Sequence, residues 1–335
     1  MVSPCPFFSY VWNLSRMLTI NYYLVEMKTY NISTWERFHR WVYSCILWFV
    51  GGLLSLLGLI VTGLEKLRVE SLRLNLKYFS PQLSYFLEHH ASHLIIVAGH
   101  AALRVENMHN ADHSDIGWYL LDYQKNVGYP EIIKSHIQKG IELVDSDPSA
   151  ILIFSGGQTR RDVGPISEAL SYYMLANIKN WLPKSLQPRV FLEEFAKDSF
   201  ENLLFSICRF REVTKHYPTK ITVVGFDFKS KRFTELHRTA LCFPEDRFTY
   251  VGLHAQHPNF NYESAQAGED FAIGEFEADL YGAHAKELRE KRVQRNPFSR
   301  SEPYMLSCPE IEPLFNWCEP TLFDDPESLP WNRKG

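Results

Sequence analysis

The 335-residue sequence is poor in cysteine and in net charge. Its six cysteines are scattered without a C-x-x-C pair, which argues against a structural zinc site and a dense disulfide framework. The net charge of -4 provides no field suited to a phosphate backbone, so no nucleic acid partner is expected. The patterns G-x-G-x-x-G and G-x-x-x-x-G-K-[ST] are also missing, which leaves standard dinucleotide and P-loop sites without support.

One long segment lacks charge altogether. The 24 residues from Trp41 to Leu64 contain no Asp, Glu, Lys or Arg, and at about 1.5 Å per residue they are long enough to cross a hydrocarbon layer of roughly 30 Å. A buried core helix or a cleaved signal peptide fits this length and position less well. We therefore predict a single-pass membrane protein in the endoplasmic reticulum or Golgi, with the lipid bilayer as a partner. Basic residues flank the segment too evenly to predict its orientation.

The rest of the chain is expected to form one domain. The predicted order is an N-terminal segment (1–40), the transmembrane helix (41–64), a linker or approach helix (65–90), an α/β domain (91–295) and an irregular C-terminal tail (296–335). Because the tail is rich in Pro, aromatic and acidic residues without a period, it is expected either to lie on the domain or to be partly disordered.

Short apolar runs separated by helical stretches indicate the fold class. Continuous apolar strands are typical of a sheet that is buried on both faces. An amphipathic crossover helix is predicted from Asp198 to Lys215, with Asp198 and Glu201 as a capping-box variant. The sequence therefore predicts an α/β, Rossmann-like three-layer sandwich with a mainly parallel sheet, preceded by one transmembrane helix. The five predicted strands are His93–Ala98, Ala150–Phe154, Arg189–Leu192, Ile221–Val224 and Phe248–Gly252.

The strongest local signal follows the second strand, where ligands bind in such sheets. Ser155-Gly156-Gly157-Gln158 leads through Arg160 to a helix predicted to start at Pro165. Paired glycines let a ligand approach the backbone, and their N–H groups together with Arg160 suit an anion. Glu168, in the first helical turn, is a candidate acid or base. The alternative is a tight turn with Glu168 only complementing the helix dipole.

Polar residues also follow the other strands. Gly99 ends the first strand, Glu193 ends the third, and Lys229 and Arg232 follow the fourth. A carboxylate at the end of a buried strand needs a partner or a ligand, and cations facing carboxylates suit either a polar substrate or a salt-bridge network. The polar loop after the first strand contains His109, Asp112, His113 and Asp115, for which a solvated loop is favoured over a metal site.

These motifs together resemble the YdcF/SanA/ElyC-like family of bacterial envelope proteins, a domain of unknown function. The resemblance covers about residues 94–253 and is carried by Ser155-Gly156-Gly157, Ser167-Glu168-Ala169, Glu193, Glu201-Asn202 and Arg232. Ser199 replaces the usual Thr, Ala196 a Ser, Lys229 a His and His136 an Arg, as in the eukaryotic, mainly fungal, branch. The resemblance implies a pocket at the strand ends and, by analogy with YdcF, S-adenosylmethionine as a ligand, without specifying a reaction.

The functional prediction is a membrane-anchored hydrolase or transferase that binds a small anionic or sugar-like (polyhydroxylated) ligand at the carboxyl ends of the sheet; the cofactor is unknown. The alternative is a non-catalytic binding or scaffold protein, because an amine of ordinary pKa at Lys229 cannot replace a basic His. Glu168 and Glu193 are the catalytic candidates. The predicted substrate-binding residues are Gly99, Ser155, Gly156, Gly157, Gln158, Arg160, Glu201, Asn202, Lys229 and Arg232.

Overall fold

The computed structural model describes residues 81–333. Within this range no helix combines the length and the apolar character needed to cross a bilayer. The predicted membrane helix at 41–64 lies outside the described residues.

A five-stranded parallel sheet forms the centre of the domain. Residues 81–333 form seven strands: β1 (His93–Ala98), β2 (Ala102–Leu103), β3 (Trp118–Tyr119), β4 (Ala150–Ser155), β5 (Val190–Glu193), β6 (Lys220–Phe226) and β7 (Phe248–Leu253). The parallel order in the large sheet is β5-β4-β1-β6-β7. The short strands β2 and β3 form a separate antiparallel pair.

The strand order is Rossmann-like. From β1 the chain adds strands outward on one side, then crosses back to add β6 and β7 on the other. Such a reversal opens a crevice at the carboxyl ends of the two strands next to it, here β1 and β6. The α/β class and the mainly parallel sheet are confirmed, and each predicted strand lies within two residues of an observed one.

In the described part of the chain, six helices of at least nine residues pack around this sheet. The strands β1 and β4 are buried along their whole length, and side chains alternate between two cores: Leu94 and Ile96 face one, Ile95 and Val97 the other. Helices α2 and α3 cover the second core, and α1 and α4 the first. The helices are α1 (Pro81–His89), α2 (Tyr129–Ser146), α3 (Glu168–Ile178), α4 (Ser199–Thr214), α5 (Tyr262–Ala278) and α6 (Lys286–Gln294).

Helix α4 follows its local sequence closely. The Asp198 side chain accepts a hydrogen bond from the Glu201 N–H at 2.9 Å, and Lys215 takes the left-handed conformation at the other end. The predicted start of α3 at Pro165 is wrong, because Ser167 caps the helix with a 2.9 Å bond from the Leu170 N–H, so that Glu168 is its first residue.

Helix α5 and the segment after residue 295 complete the domain. Tyr262 packs with the core under α2 and α3, whereas Ile273 and Phe276 belong to the opposite core, so α5 spans the edge of the sheet. The last segment contains short helices at Tyr304–Ser307 and Glu312–Phe315. It buries apolar side chains such as Tyr304 and Trp331 against the α4 side of the sheet.

Candidate functional site

A cavity of about 430 Å³ lies at the carboxyl edge of the sheet. Its wall begins with Gly99 and His100 after β1 and Lys229 after β6, the two strands at the reversal of strand order. Further parts of the wall come from the start of α4, from α5 and from α6. The polar and charged side chains that line it are His100, Gln124, Thr159, Glu168, Lys197, Asp198, Ser199, Asn202, Lys229, Arg232, Asn261, Ser264, Glu269, Lys291 and Arg295.

Glu168 is placed in this cavity by its position at the start of α3 and by two glycines. A Cβ at Gly99 would lie 2.6 Å from the Glu168 Cβ, and one at Gly156 would lie 2.8 Å from it. Thr159 donates a hydrogen bond of 2.7 Å to Glu168 Oε1. Burial raises the pKa of Glu168, although Arg295 and Lys229 act in the opposite direction. A carboxyl group with a raised pKa next to a cavity is suited to proton transfer.

The glycine pair does not serve the anion site predicted for it. The Gly156 N–H donates to the Glu193 carbonyl at 3.0 Å, and the Gly157 N–H donates to the Ala196 carbonyl at 2.8 Å. Both donors are therefore occupied. A Cβ at Gly157 would meet the Ala196 carbonyl at 2.7 Å. The glycines allow close packing of the 155–157 turn against Glu168 and the 193–196 loop.

Glu193 is buried behind the cavity wall instead of lining it. Its Oε2 accepts a 2.7 Å bond from Ser155 Oγ. Its Oε1 accepts bonds from the Phe195 N–H at 2.7 Å, the Ala196 N–H at 3.2 Å and the Tyr304 hydroxyl at 3.2 Å. Burial raises the pKa of Glu193 to about 7. With four donors and no contact with the cavity, Glu193 organises the loop after β5 and is not placed for catalysis.

Glu201 is likewise occupied within the protein. Its carboxylate accepts the Lys197 N–H at 2.7 Å and pairs with Lys197 Nζ at 3.1 Å and Arg292 Nε at 3.4 Å. Asp198 pairs with Arg292 Nε at 2.7 Å. Burial alone would raise the pKa of Asp198, but Arg292 and the hydrogen bond from the Glu201 N–H together hold this pKa below the ordinary value. These ion pairs fix the start of α4 against α6.

Three cations of the cavity wall have no carboxylate partner within residues 81–333: Lys229, Lys291 and Arg295. Lys229 lies 5.2 Å from the ring of Phe226 and 5.8 Å from that of Phe228. Burial, followed by the charge of Arg232, lowers the pKa of Lys229 to about 7. Burial and then Arg295 lower the pKa of Lys291 to about 8. The pKa of Lys229 is thus not that of an ordinary amine, and Lys229 can exchange a proton near neutral pH.

Arg232 differs from these cations because it is already paired. Its Nε and one terminal nitrogen donate to the two carboxylate oxygens of Glu269 at 2.6 and 2.7 Å, and both side chains are buried. Its other terminal nitrogen donates to Ser199 Oγ at 2.6 Å. A bidentate pair of this kind fixes the guanidinium in one orientation. The pair contributes little net charge to the cavity.

Five of the predicted site residues line one cavity: Gly99, Glu168, Asn202, Lys229 and Arg232. Asn202 Oδ1 accepts a 2.9 Å bond from Ser155 Oγ. Seven others do not line it: Ser155, Gly156, Gly157, Gln158, Arg160, Glu193 and Glu201. Arg160 forms a salt bridge with Asp162 and donates to the Tyr119 carbonyl. Its predicted role in anion binding is therefore not supported by its position.

Sequence reasoning missed the contribution of α6 and of the aromatic rim. Lys291 and Arg295 are four residues apart and therefore share a helix face, but the charged run around them reads equally well as a solvated surface. The rim includes Tyr123, Tyr129, Phe228 and Phe260. The salt bridge between Arg292 and Asp198 holds α6 against the start of α4, and Lys291 and Arg295 then line the cavity.

The two aspartates of the polar loop after β1, Asp112 and Asp115, form ion pairs and hydrogen bonds with nearby residues of the domain. Asp112 binds His113 Nδ1 at 2.9 Å and Lys179 Nζ at 2.6 Å, and Asp115 accepts the Asn126 N–H. Within the described part of the chain, no three His, Cys, Asp or Glu residues are grouped so that they could hold a metal ion.

Fold and site together define an α/β protein with a cation-walled cavity at the carboxyl edge of a Rossmann-like parallel sheet. No family model matches the chain, and no solved structure matches it. The chain is 32% identical over 261 residues to the uncharacterized protein YOR238W of the yeast Saccharomyces cerevisiae. The alignment covers 63% of this chain and 86% of the yeast protein. The chain therefore belongs to the family of that yeast protein.

Proposed function

We propose that this protein is an enzyme, a hydrolase or transferase, that acts on a small phosphorylated substrate in the cavity at the sheet edge. The observation that carries the proposal is the charge arrangement of the cavity. Lys229, Lys291 and Arg295 lack carboxylate partners within residues 81–333 and face the same space as Glu168. A phosphate group satisfies such cations, because unpaired buried charges are costly.

The chemical roles follow from the pKa values. Glu168, whose pKa is raised by burial, is suited to donate a proton to a leaving group. Lys291 and Arg295 are suited to bind the anion, and Lys229, whose pKa is lowered to about 7, can bind it or exchange a proton. Asn202 and Gln124 add hydrogen-bonding groups suited to sugar hydroxyls.

The positive charge of the cavity wall also favours a phosphorylated ligand over S-adenosylmethionine. S-adenosylmethionine carries a sulfonium cation, which three unpaired cations repel. A nucleotide or a sugar phosphate suits the same cavity better, and its ring or sugar can lie against the aromatic rim. We therefore place the anionic ligand ahead of S-adenosylmethionine.

Family and location are part of the same proposal. Membership of the eukaryotic branch of the YdcF/SanA/ElyC-like family is supported by the close packing of its motif residues, since Gly99 and Gly156 make room for Glu168. The uncharged segment 41–64 supports a single-pass anchor, and the membrane that we propose for it is an endomembrane. Protease protection of the full-length protein in sealed vesicles tests the anchor and its orientation.

Thermal stabilisation of the full-length protein by phosphate, nucleoside phosphates and sugar phosphates tests the ligand class. A ligand at 100 times its Kd is expected to add about 2.7 kcal/mol. The double variant Lys291→Met, Arg295→Met should lose this stabilisation. Lys231→Met is the matched control, because Lys231 is two residues from Lys229 in the chain but is exposed and paired with Glu277.

Thermal stabilisation and product formation, measured with the same compounds, together distinguish an enzyme from a scaffold. Glu168→Gln should retain the stabilisation and lose product formation. A stabilising ligand that the unmodified protein never converts would favour the non-catalytic alternative. If no phosphorylated compound stabilised the protein, the proposed ligand class would be wrong.

A further inference from the structure

Four side chains form a continuous hydrogen-bonded chain at the cavity wall. Glu269 binds Arg232 through both carboxylate oxygens, and Arg232 donates to Ser199 Oγ at 2.6 Å. Ser199 Oγ lies 2.8 Å from His237 Nε2. Ser199 is the first residue of α4 and lines the cavity, whereas His237 is fully buried behind it.

The donors in this chain determine where the protons are. A guanidinium only donates, so Ser199 Oγ accepts from Arg232. When the neutral ring carries its proton on Nδ1, the tautomer that we assign, the Ser199 hydroxyl donates its proton to His237 Nε2. Burial, followed by the charge of Arg232, keeps the pKa of His237 well below its ordinary value, so the ring is neutral at pH 7.

Aromatic packing holds the His237 ring in this orientation. Its centroid lies 4.6 Å from that of Phe276, 5.3 Å from Phe233 and 5.8 Å from Phe200, with the rings steeply inclined to one another. The other nitrogen, Nδ1, is buried and has no hydrogen-bond partner within the described part of the chain. Buried polar atoms without partners are rare, and they often mark functional sites. The ring thus presents one nitrogen to a serine that opens onto the cavity.

We propose that Ser199 is the nucleophile, and His237 its general base, for phosphoryl transfer from a phosphate ester bound in this cavity. The proposal rests on the function proposed above and specifies its chemistry. A serine hydroxyl within hydrogen-bond reach of a neutral histidine is the arrangement that activates such a nucleophile. Arg232 is a positioning residue that stabilises negative charge on Oγ as the proton leaves.

The reaction balances with the groups present. Ser199 Oγ forms a bond to phosphorus while the bond from phosphorus to the ester oxygen breaks. The Ser199 proton passes to His237 Nε2, and Glu168 gives its proton to the leaving oxygen. Water then attacks phosphorus, the Oγ–phosphorus bond breaks, Ser199 recovers the proton held by His237, and a proton of the water restores Glu168.

A fluorophosphonate reagent tests this arrangement in the full-length protein without knowledge of the natural substrate. Attack by Oγ releases fluoride and leaves a stable phosphonyl-serine that peptide mass spectrometry locates. We expect modification of Ser199 and not of Ser264, a second serine of the cavity wall whose hydroxyl forms no hydrogen bond with a histidine of the described residues. His237→Gln should slow the modification by about 100-fold, the lower range for a general base.

The pH profile of labelling gives a second, independent measurement. With His237 as base, the labelling rate of the unmodified protein should be constant between about pH 6.5 and 8, because the neutral ring is already the working form. A serine without a base would react about tenfold faster with each pH unit in this range. This measurement applies even if His237→Gln does not fold.

Three results would overturn the proposal: an unmodified Ser199, equal labelling rates in His237→Gln and the unmodified protein, or a tenfold rise in rate with each pH unit. None of them affects phosphate-dependent thermal stabilisation, which tests the ligand class separately. Labelling of Ser199 in a protein that no phosphate compound stabilises would keep the nucleophile and reject the ligand class.

Discussion

The side chain of Glu168 lies against Gly99, so that a methyl group at position 99 would approach Glu168 Cβ to 2.6 Å and Oε2 to 2.8 Å. The two residues come from different elements, the end of β1 and the start of α3. The glycine is thus required by the carboxylate beside it. This contact brings the end of β1 and the start of α3 together on one wall of the cavity.

Gly99→Ala is expected to displace Glu168 and to lower product formation at least tenfold, with a loss of about 1–3 kcal/mol from the free energy of unfolding. Gly274→Ala is the matched control, because an added Cβ there meets nothing within 4 Å and α5 should gain up to about 1 kcal/mol from the better helix former. Urea unfolding and an activity assay measure both effects. Unchanged activity in Gly99→Ala would show that the position of Glu168 does not matter.

Glu193→Gln should change how stability depends on pH. Burial raises the pKa of Glu193 from 4.5 to about 7, so between these values the folded protein holds a proton that the unfolded chain has lost. Its contribution to stability therefore falls as pH rises from about 4.5 to 7. Glutamine does not ionise, and this decline should be smaller in the variant. Glu193→Gln should retain both ligand binding and product formation; retained binding with lost product formation would show that Glu193 is catalytic.

Glu269→Gln is expected to destabilise the protein by about 3–5 kcal/mol, because it leaves the charge of Arg232 buried without its counterion. The control lies on the same helix. Glu277 is half exposed and pairs with Lys231 at 3.4 Å, so Glu277→Gln should cost less than about 1 kcal/mol. Equal losses in the two variants, measured by urea unfolding, would mean that Arg232 does not depend on Glu269.

Anion binding should weaken above neutral pH. The pKa of Lys229 is lowered to about 7, so this amine is charged below pH 7 and loses its proton as pH rises through 7. The affinity for phosphate should therefore fall between about pH 6 and 8. Lys229→Met should bind phosphate more weakly at pH 6 and show a flatter profile. The same pH dependence in Lys229→Met and the unmodified protein would assign it to another group.

The sequence predicts the sheet well because its signals are local. Apolar runs and the residues that bound them place the strands to within two residues, and Asp198 and Lys215 mark the two ends of α4. The start of α3 was missed because Pro165 suits a first helical turn, whereas the Ser167 hydroxyl is the cap that forms. Both residues are common at the start of a helix, and the sequence alone does not show at which of them α3 begins.

The candidate site was less predictable because its charges depend on distant contacts. Glu168, Lys229 and Arg232 were found from their positions after strands, but the neutralisation of Arg232 by Glu269 joins residues 37 positions apart. The altered pKa of Lys229 depends on burial, which one sequence does not show. The N–H groups of Gly156 and Gly157, which the sequence assigns to an anion, donate instead to carbonyls of the 193–196 loop, and this long-range contact is not visible in the sequence.

The late position of α6 in the chain has a consequence for biosynthesis. The last strand of the sheet ends at Leu253, so all strands have been translated before Lys291 and Arg295. A growing chain therefore acquires every strand before it acquires the cations that close the pocket. A stop codon between these two points should yield a product with the Rossmann-like strands but without Lys291 and Arg295, two of the three cations of the cavity wall that lack a carboxylate partner within residues 81–333.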